Sequence, residues 1–93
     1  MAVIIRIPTP LRPLTGGLGE IETQAGSVSE ALAALTSRYA EVGNHLFTGE
    51  GRLRSFVNVY VNDEDIRYLQ SDRTPLRDGD TLSIVPSIAG GVA

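Results

Sequence analysis

Two adjacent glycines, Gly90 and Gly91, lie in the run Pro86-Ser87-Ile88-Ala89-Gly90-Gly91-Val92-Ala93, directly after a strand-like stretch. With no Cβ, paired glycines can thread a narrow channel in a partner and present bare backbone there. A free carboxylate at Gly91 is chemically activatable. Joined to AMP it becomes an acyl-adenylate, open to attack by sulfur or another nucleophile. While Val92 and Ala93 remain attached, the Gly91 carbonyl is an ordinary amide and cannot be activated. The tail is therefore read in one of two ways: as the arm of a carrier whose precursor is cut between Gly91 and Val92, or as an ordinary Gly-rich chain end. Five residue steps from Pro86 to Gly91, fully extended, span about 17 Å. That is enough to enter a deep pocket while the globular body stays outside. Ala89 and the glycines keep such an arm thin, and Ile88 fits either an apolar spot on a partner or its own domain.

The remaining composition excludes several chemistries. Cysteine is absent, which removes disulfides, thiolate metal sites and a thiol nucleophile. The single histidine, His45, cannot build a histidine metal site and reads as a loop surface residue. The net charge of −3 argues against a partner bound through phosphate neutralisation. All eight basic residues are arginine. Lacking lysine spares an activated C-terminus from capture by its own amines, although GC-rich codon usage explains the same bias. Met1-Ala2-Val3-Ile4-Ile5 is too short an apolar run for a signal peptide and is broken by Arg6. No segment reaches membrane-spanning length, so a cytoplasmic location is expected. Asp63-Glu64-Asp65 lacks the ligand alternation of a calcium loop and reads as a solvated turn; no metal site is expected. Thr15-Gly16-Gly17 lacks the lysine and following helix of a phosphate loop. Neither a Ser-His-Asp set nor an isolated carboxylate pair is present, so the expectation is a protein handled by enzymes rather than an enzyme.

Ninety-three residues suit one domain with a modest core. Residues 1–86 are expected to form it, with 87–93 as a tail. Val3, Ile5 and Ile7 alternate with Ile4 and Arg6, predicting a strand closed by Pro8. Pro8, Pro10 and Pro13 predict a non-helical stretch, Thr15-Gly16-Gly17 a turn, and Gly19 to Thr23 a second strand in a long-looped hairpin. Ser27 and Glu30 form a capping box in which the hydroxyl caps the first turn and the carboxylate returns to the cap amide. Val28, Ala31, Leu32, Leu35 and Tyr39 follow as one helical stripe. Glu41 to Gly51 reads as a polar loop with Leu46 and Phe47 as an apolar plug. Phe56 to Val61 is the strongest strand, Asn62 to Asp65 a turn, Ile66-Arg67-Tyr68 a short partner strand, and Asp78-Gly79-Asp80 a tight turn into Thr81 to Val85. Pro86 ends the ladder. The order β-β-α-β-β-β predicts an α+β fold with one main helix on one face of a mixed sheet, which first and last strands lying side by side and parallel at the centre would fit.

Strand alternation then sorts two faces. Val3, Ile5, Ile7, Val57, Val59, Val61, Leu82 and Ile84 should meet the helix. Ile4, Arg6, Phe56, Asn58, Tyr60, Ser83 and Val85 remain on the open face. Aromatic and arginine residues are enriched at interfaces, so Ile4, Arg6, Phe56, Tyr60 and Val85, continued by Pro86, Ile88 and Ala89, form a candidate docking patch. The bland alternative is that loops cover Phe56 and Tyr60.

Ile7-Pro8-Thr9, Leu11-Arg12-Pro13, Thr15-Gly16-Gly17, the block Phe56 to Arg67, Asp78-Gly79-Asp80 and the tail from Pro86 to Gly91 together resemble the small sulfur-carrier proteins of the ubiquitin-like β-grasp fold. That family includes the molybdopterin-synthase small subunit, the thiamine sulfur carrier and, most similar here, the cysteine-biosynthesis sulfur carriers. The resemblance spans nearly the whole chain, and Phe56 to Arg67 is its most specific part. It implies that an adenylating enzyme of the ubiquitin-activating type joins the Gly91 carboxylate to AMP, and that sulfur then replaces AMP to leave a Gly91 thiocarboxylate. In the cysteine route the thiocarboxylate attacks an aminoacrylate held by a PLP-dependent, cysteine-synthase-like enzyme, and a JAMM-type zinc metalloprotease releases cysteine. ATP, PLP and zinc are thereby expected on the partners, with no cofactor bound by this chain. Mature members end at the second glycine, whereas Val92 and Ala93 follow it here. The resemblance implies cleavage after Gly91, with the JAMM-type enzyme as the natural candidate. Three alternatives remain: a molybdopterin-synthase small subunit with a permanent partner, an interaction module that never uses its C-terminus, and a modifier conjugated to lysines.

Overall fold

Alternating β-branched residues and a single strongly amphipathic helix leave little choice of layers: the apolar face of a sheet must be covered, and one helix covers one face. The computed structural model describes residues 2–86. Five strands, β1 (Ala2–Arg6), β2 (Glu20–Gln24), β3 (Val57–Val61), β4 (Glu64–Asp65) and β5 (Thr81–Pro86), form one sheet in the order β2-β1-β5-β3-β4. β1 and β5 run parallel at the centre, with Ile5 opposite Leu82; every other pairing is antiparallel. The fold is the α+β, ubiquitin-like β-grasp expected. The helix α1 (Val28–Arg38) lies across the sheet, and Val28, Ala31, Leu32 and Leu35 are buried against Val3, Ile5, Val59, Leu82 and Ile84.

Four local features differ from the sequence reading, each for a physical reason. The proline-rich stretch is a 3-10 helix, Thr9–Thr15. Pro10 sits in its first turn, where a missing N–H costs nothing, and the turn buries Leu11 and Thr15. The Thr15 hydroxyl is satisfied by the carbonyls of Arg12 and Leu18, at 3.1 and 2.9 Å. The supposed polar loop contains a second helix, α2 (Ala40–Leu46), which buries Val42 and Leu46 at i, i+4. It packs on α1 at Gly43, where a Cβ would meet the Thr36 side chain at 3.4 Å, an ordinary contact distance. His45 is exposed on that helix rather than in a loop.

The partner of β3 is Glu64–Asp65, not residues 66–68, which form a 3-10 turn capped by Asp65. Asn62 and Asp63 hold φ of 49° and 74°, the left-handed pair that a two-residue hairpin loop requires. That loop brings Glu64 straight back onto Val61. Finally, the α1 cap is only half as predicted. The Ser27 hydroxyl accepts from the Glu30 amide at 3.2 Å, but the Glu30 carboxylate accepts from Gly26 N–H at 2.8 Å, one residue before the cap.

Candidate functional site

Pleating decides what the uncovered face presents. Successive side chains point to opposite sides, so burying Val57, Val59, Val61, Leu82 and Ile84 under the helix leaves their neighbours outside. Ile4 and Arg6 from β1, Asn58 and Tyr60 from β3, and Ser83 and Val85 from β5 share this open face. Register aligns Arg6 with Ser83, Ser83 with Tyr60 and Tyr60 with Asp65 in one row across the sheet. Arg6 and Tyr60 therefore stand two strand spacings apart, about 10 Å. Val85 is 45% exposed and Phe56 40%, whereas Tyr60 is half-buried. Pro86, half-buried, is the last residue of β5 and pairs with Val57. Ile88, Ala89, Gly90, Gly91, Val92 and Ala93 lie outside the described residues.

Charge brackets the apolar strip at both ends. On the β1 side Arg6 reaches Glu20 across the hairpin at 3.4 Å, with both side chains well exposed. Beside Val85 a shallow depression of about 580 Å³ is walled by Arg6, Pro8, Arg12 and Glu20. Arg12 is held there by its Nε, which donates to the Ile7 carbonyl at 3.1 Å.

At the opposite end sits a group that the sequence reading did not single out. The Arg67 Nη2 donates to Asp65 at 2.7 Å and to the Asn58 Oδ1 at 2.8 Å, while the Arg67 backbone N–H donates to Asp65 at 2.8 Å. Asp65 thereby clamps Arg67 at the β3 edge and onto an open-face side chain. The acidic run around Asp65 suggests a solvated turn, yet the Asp65 side chain is only 9% exposed. The available signal was Asp65 two residues before Arg67, the spacing of a side chain that bonds its own backbone two residues on. Among the described residues no group of three His, Cys, Asp or Glu side chains is arranged to hold a metal ion.

The Arg67 side chain, and then its backbone N–H, hold the Asp65 carboxyl below its ordinary value of 3.8. A carboxyl depressed in the folded state contributes stability above its unfolded value and loses it as pH falls through the lower folded value. Asp65→Asn is accordingly expected to lower stability at neutral pH and to flatten its decline below about pH 4. Urea midpoints measured across the acid range check this, and parallel profiles for the two proteins would count against the clamp.

A model of the ThiS family matches residues 5–91. The Mycobacterium tuberculosis sulfur carrier protein CysO is 38% identical over 93 residues, spanning 98% of this chain and 100% of that protein. A chain of the Amycolatopsis orientalis BexX/CysO complex superposes with a TM-score of 0.87 at 43% identity, covering 97% of this chain and 100% of that one. Small archaeal modifier protein 1 from Methanosarcina acetivorans superposes with a TM-score of 0.85 at 26% identity, over 97% of this chain and 96% of its own.

Proposed function

The chain belongs to the ThiS family, and from that premise we propose that it is a sulfur carrier whose cargo is borne on Gly91. One observation carries the reading: the family match runs from residue 5 to residue 91 and stops on the second glycine. Val92 and Ala93 lie beyond it. Hydrolysis of the Gly91–Val92 bond supplies the carboxylate. The carboxylate oxygen attacks ATP at the phosphorus nearest the ribose, pyrophosphate leaves, and an acyl-adenylate forms. A sulfur nucleophile then displaces AMP and leaves the thiocarboxylate. This chain supplies the terminus and the body that docks, while the reacting ATP and any PLP or zinc belong to partner enzymes in the cytoplasm.

The open sheet face suits that docking. Ile4, Tyr60, Val85 and Phe56 offer apolar area next to the last residue of β5, and Arg6 flanks them. An activating enzyme seated there receives the tail with no rearrangement of the sheet. The likeness to a chain of a BexX/CysO complex supports delivery of the sulfur to an acceptor enzyme, with cysteine or a related sulfur metabolite as product. The likeness to an archaeal modifier protein favours a second reading, transfer of the same activated Gly91 to lysine amines.

The test is the intact mass of the protein recovered from its native cells. Loss of Val92 and Ala93, with the gain from exchanging one oxygen for sulfur, is the expected result. An unmodified chain still carrying both residues under sulfur-demanding growth overturns the proposal.

A further inference from the structure

The central parallel ladder stops where the tail begins, and the cause is chemical on both strands. Register pairs Ile4 with Thr81, Ile5 with Leu82 and Arg6 with Ser83. The Ile4 N–H donates to the Asp80 carbonyl at 3.0 Å, so with a period of two the rungs from this line fall on Ile4, Arg6 and residue 8. Continued past Arg6, the pattern asks the N–H of residue 8 to donate to the Ile84 carbonyl. It then asks the N–H of residue 86 to donate to the carbonyl of residue 8. Both positions are proline, which has no N–H. Residue 10, the next donor in line, is proline as well and already belongs to the 3-10 helix Thr9–Thr15. The Pro8 carbonyl turns instead to the Leu11 N–H, at 2.9 Å.

The other flank of β5 ends at the same level. The Asn62 N–H donates to the Thr81 carbonyl at 2.9 Å, so the bonded pairs toward β3 continue as Tyr60 with Ser83 and Asn58 with Val85. Phe56 would carry the next one, but the chain turns there, with the Val57 N–H donating to the Arg54 carbonyl at 2.9 Å. Pro86 stands opposite Val57, in a pair that exchanges no ladder bonds. The last rung of β5 is therefore Asn58 with Val85.

We propose that Pro8 and Pro86 act together as positioning residues: they end the sheet at Val85, so that the arm carrying Gly91 takes its direction from the partner enzyme and not from the strand. The proposal rests on the sulfur-carrier reading of Gly91. An arm bonded into the sheet at its root would suit only channels in line with β5. One released at Val85 can be offered in turn to the enzymes that trim it, load it and unload it.

The test is the double variant Pro8→Val, Pro86→Val, which restores both missing donors. Both prolines are half-buried. Pro8 has φ −67° and ψ 151°, an extended conformation open to valine, and its carbonyl keeps a second lone pair beside the Leu11 bond. Hydrogen exchange of the full chain, followed by amide NMR, reads the ladder. The new amides at positions 8 and 86 should exchange about tenfold or more slowly than an unprotected amide. Adenylation of the same variant ending at Gly91 reads the consequence. A partner that redirects the arm must first break the added rungs, so KM should rise about tenfold, a change of about 1.4 kcal/mol, with kcat nearly unchanged. Two glycines inserted after position 86 should restore KM, because the bend then falls beyond the bonded residue. Fast exchange at both new amides would show that the prolines are not what stops the ladder. Protected amides with an unchanged KM would show that the arm takes no direction from its root. Either result overturns the proposal. If the chain ending at Gly91 with both prolines intact is not adenylated at all, the sulfur-carrier reading falls and the arm's role with it, while exchange at positions 8 and 86 still decides what stops the ladder.

Discussion

A chain ending at Gly91 is expected to release pyrophosphate from ATP in the presence of its adenylating enzyme, and the chain that retains Val92 and Ala93 is expected to release none. The difference is one of kind, because an amide carbonyl has no anionic oxygen with which to attack phosphorus. Gly91→Ala in the truncated chain separates chemistry from reach. It keeps the carboxylate but adds a Cβ at the reacting residue. In a channel built around bare backbone, a displacement of that order costs roughly 100-fold in kcat/KM, about 2.7 kcal/mol. The urea midpoint should not move, since among the described residues the buried core runs from Val3 to Ile84. Adenylation of the untrimmed chain, or normal thiocarboxylate formation by Gly91→Ala, would remove Gly91 from the assigned role.

The second large effect concerns the frame that carries the tail. Leu82 is fully buried on β5, with Ile5 and Val61 as its partners on the two flanking strands. Leu82→Ala deletes three carbons where helix and sheet leave no route for collapse. The expected loss is about 3 kcal/mol, a large share of the 5–15 kcal/mol that holds a domain of this kind. Val85, three residues on, points to the other face and is 45% exposed. Val85→Ala should stay within about 0.5 kcal/mol. Urea unfolding of the two variants side by side measures both. A loss under 1 kcal/mol for Leu82→Ala would mean that the β1–β5 centre is not where the stability lies.

The contrast between Leu82 and Val85 was legible in the chain itself. Period-two alternation is a local property of a strand, and Val57, Val59 and Val61 state it without reference to anything distant. The capping position of Ser27 and the stripe on α1 are equally local. The role proposed for the glycine pair at 90 and 91 rests on composition alone: two residues without side chains, and a bond to Val92 whose cleavage would give a Gly91 carboxylate. The order of strands and one amphipathic helix were compatible with first and last strands side by side, and the register of Ile5 on Leu82 is what places them so.

What tertiary structure alone decided involves groups far apart in sequence. α2 is short and interrupted by Glu41, Gly43, Asn44 and His45, and it is held by burying Val42 and Leu46 under neighbours that no local pattern names. The prolines after β1 curl into a 3-10 helix because Leu11 and Thr15 find buried places beneath them. The amide of Asn62 bonds the Asp80 carboxylate at 2.8 Å, tying the β3–β4 turn to the loop before β5. Arg67 reaches Asn58 over a turn that reverses the chain. Spacing along a chain fixes which way a side chain points, whereas which groups meet depends on where the chain turns back.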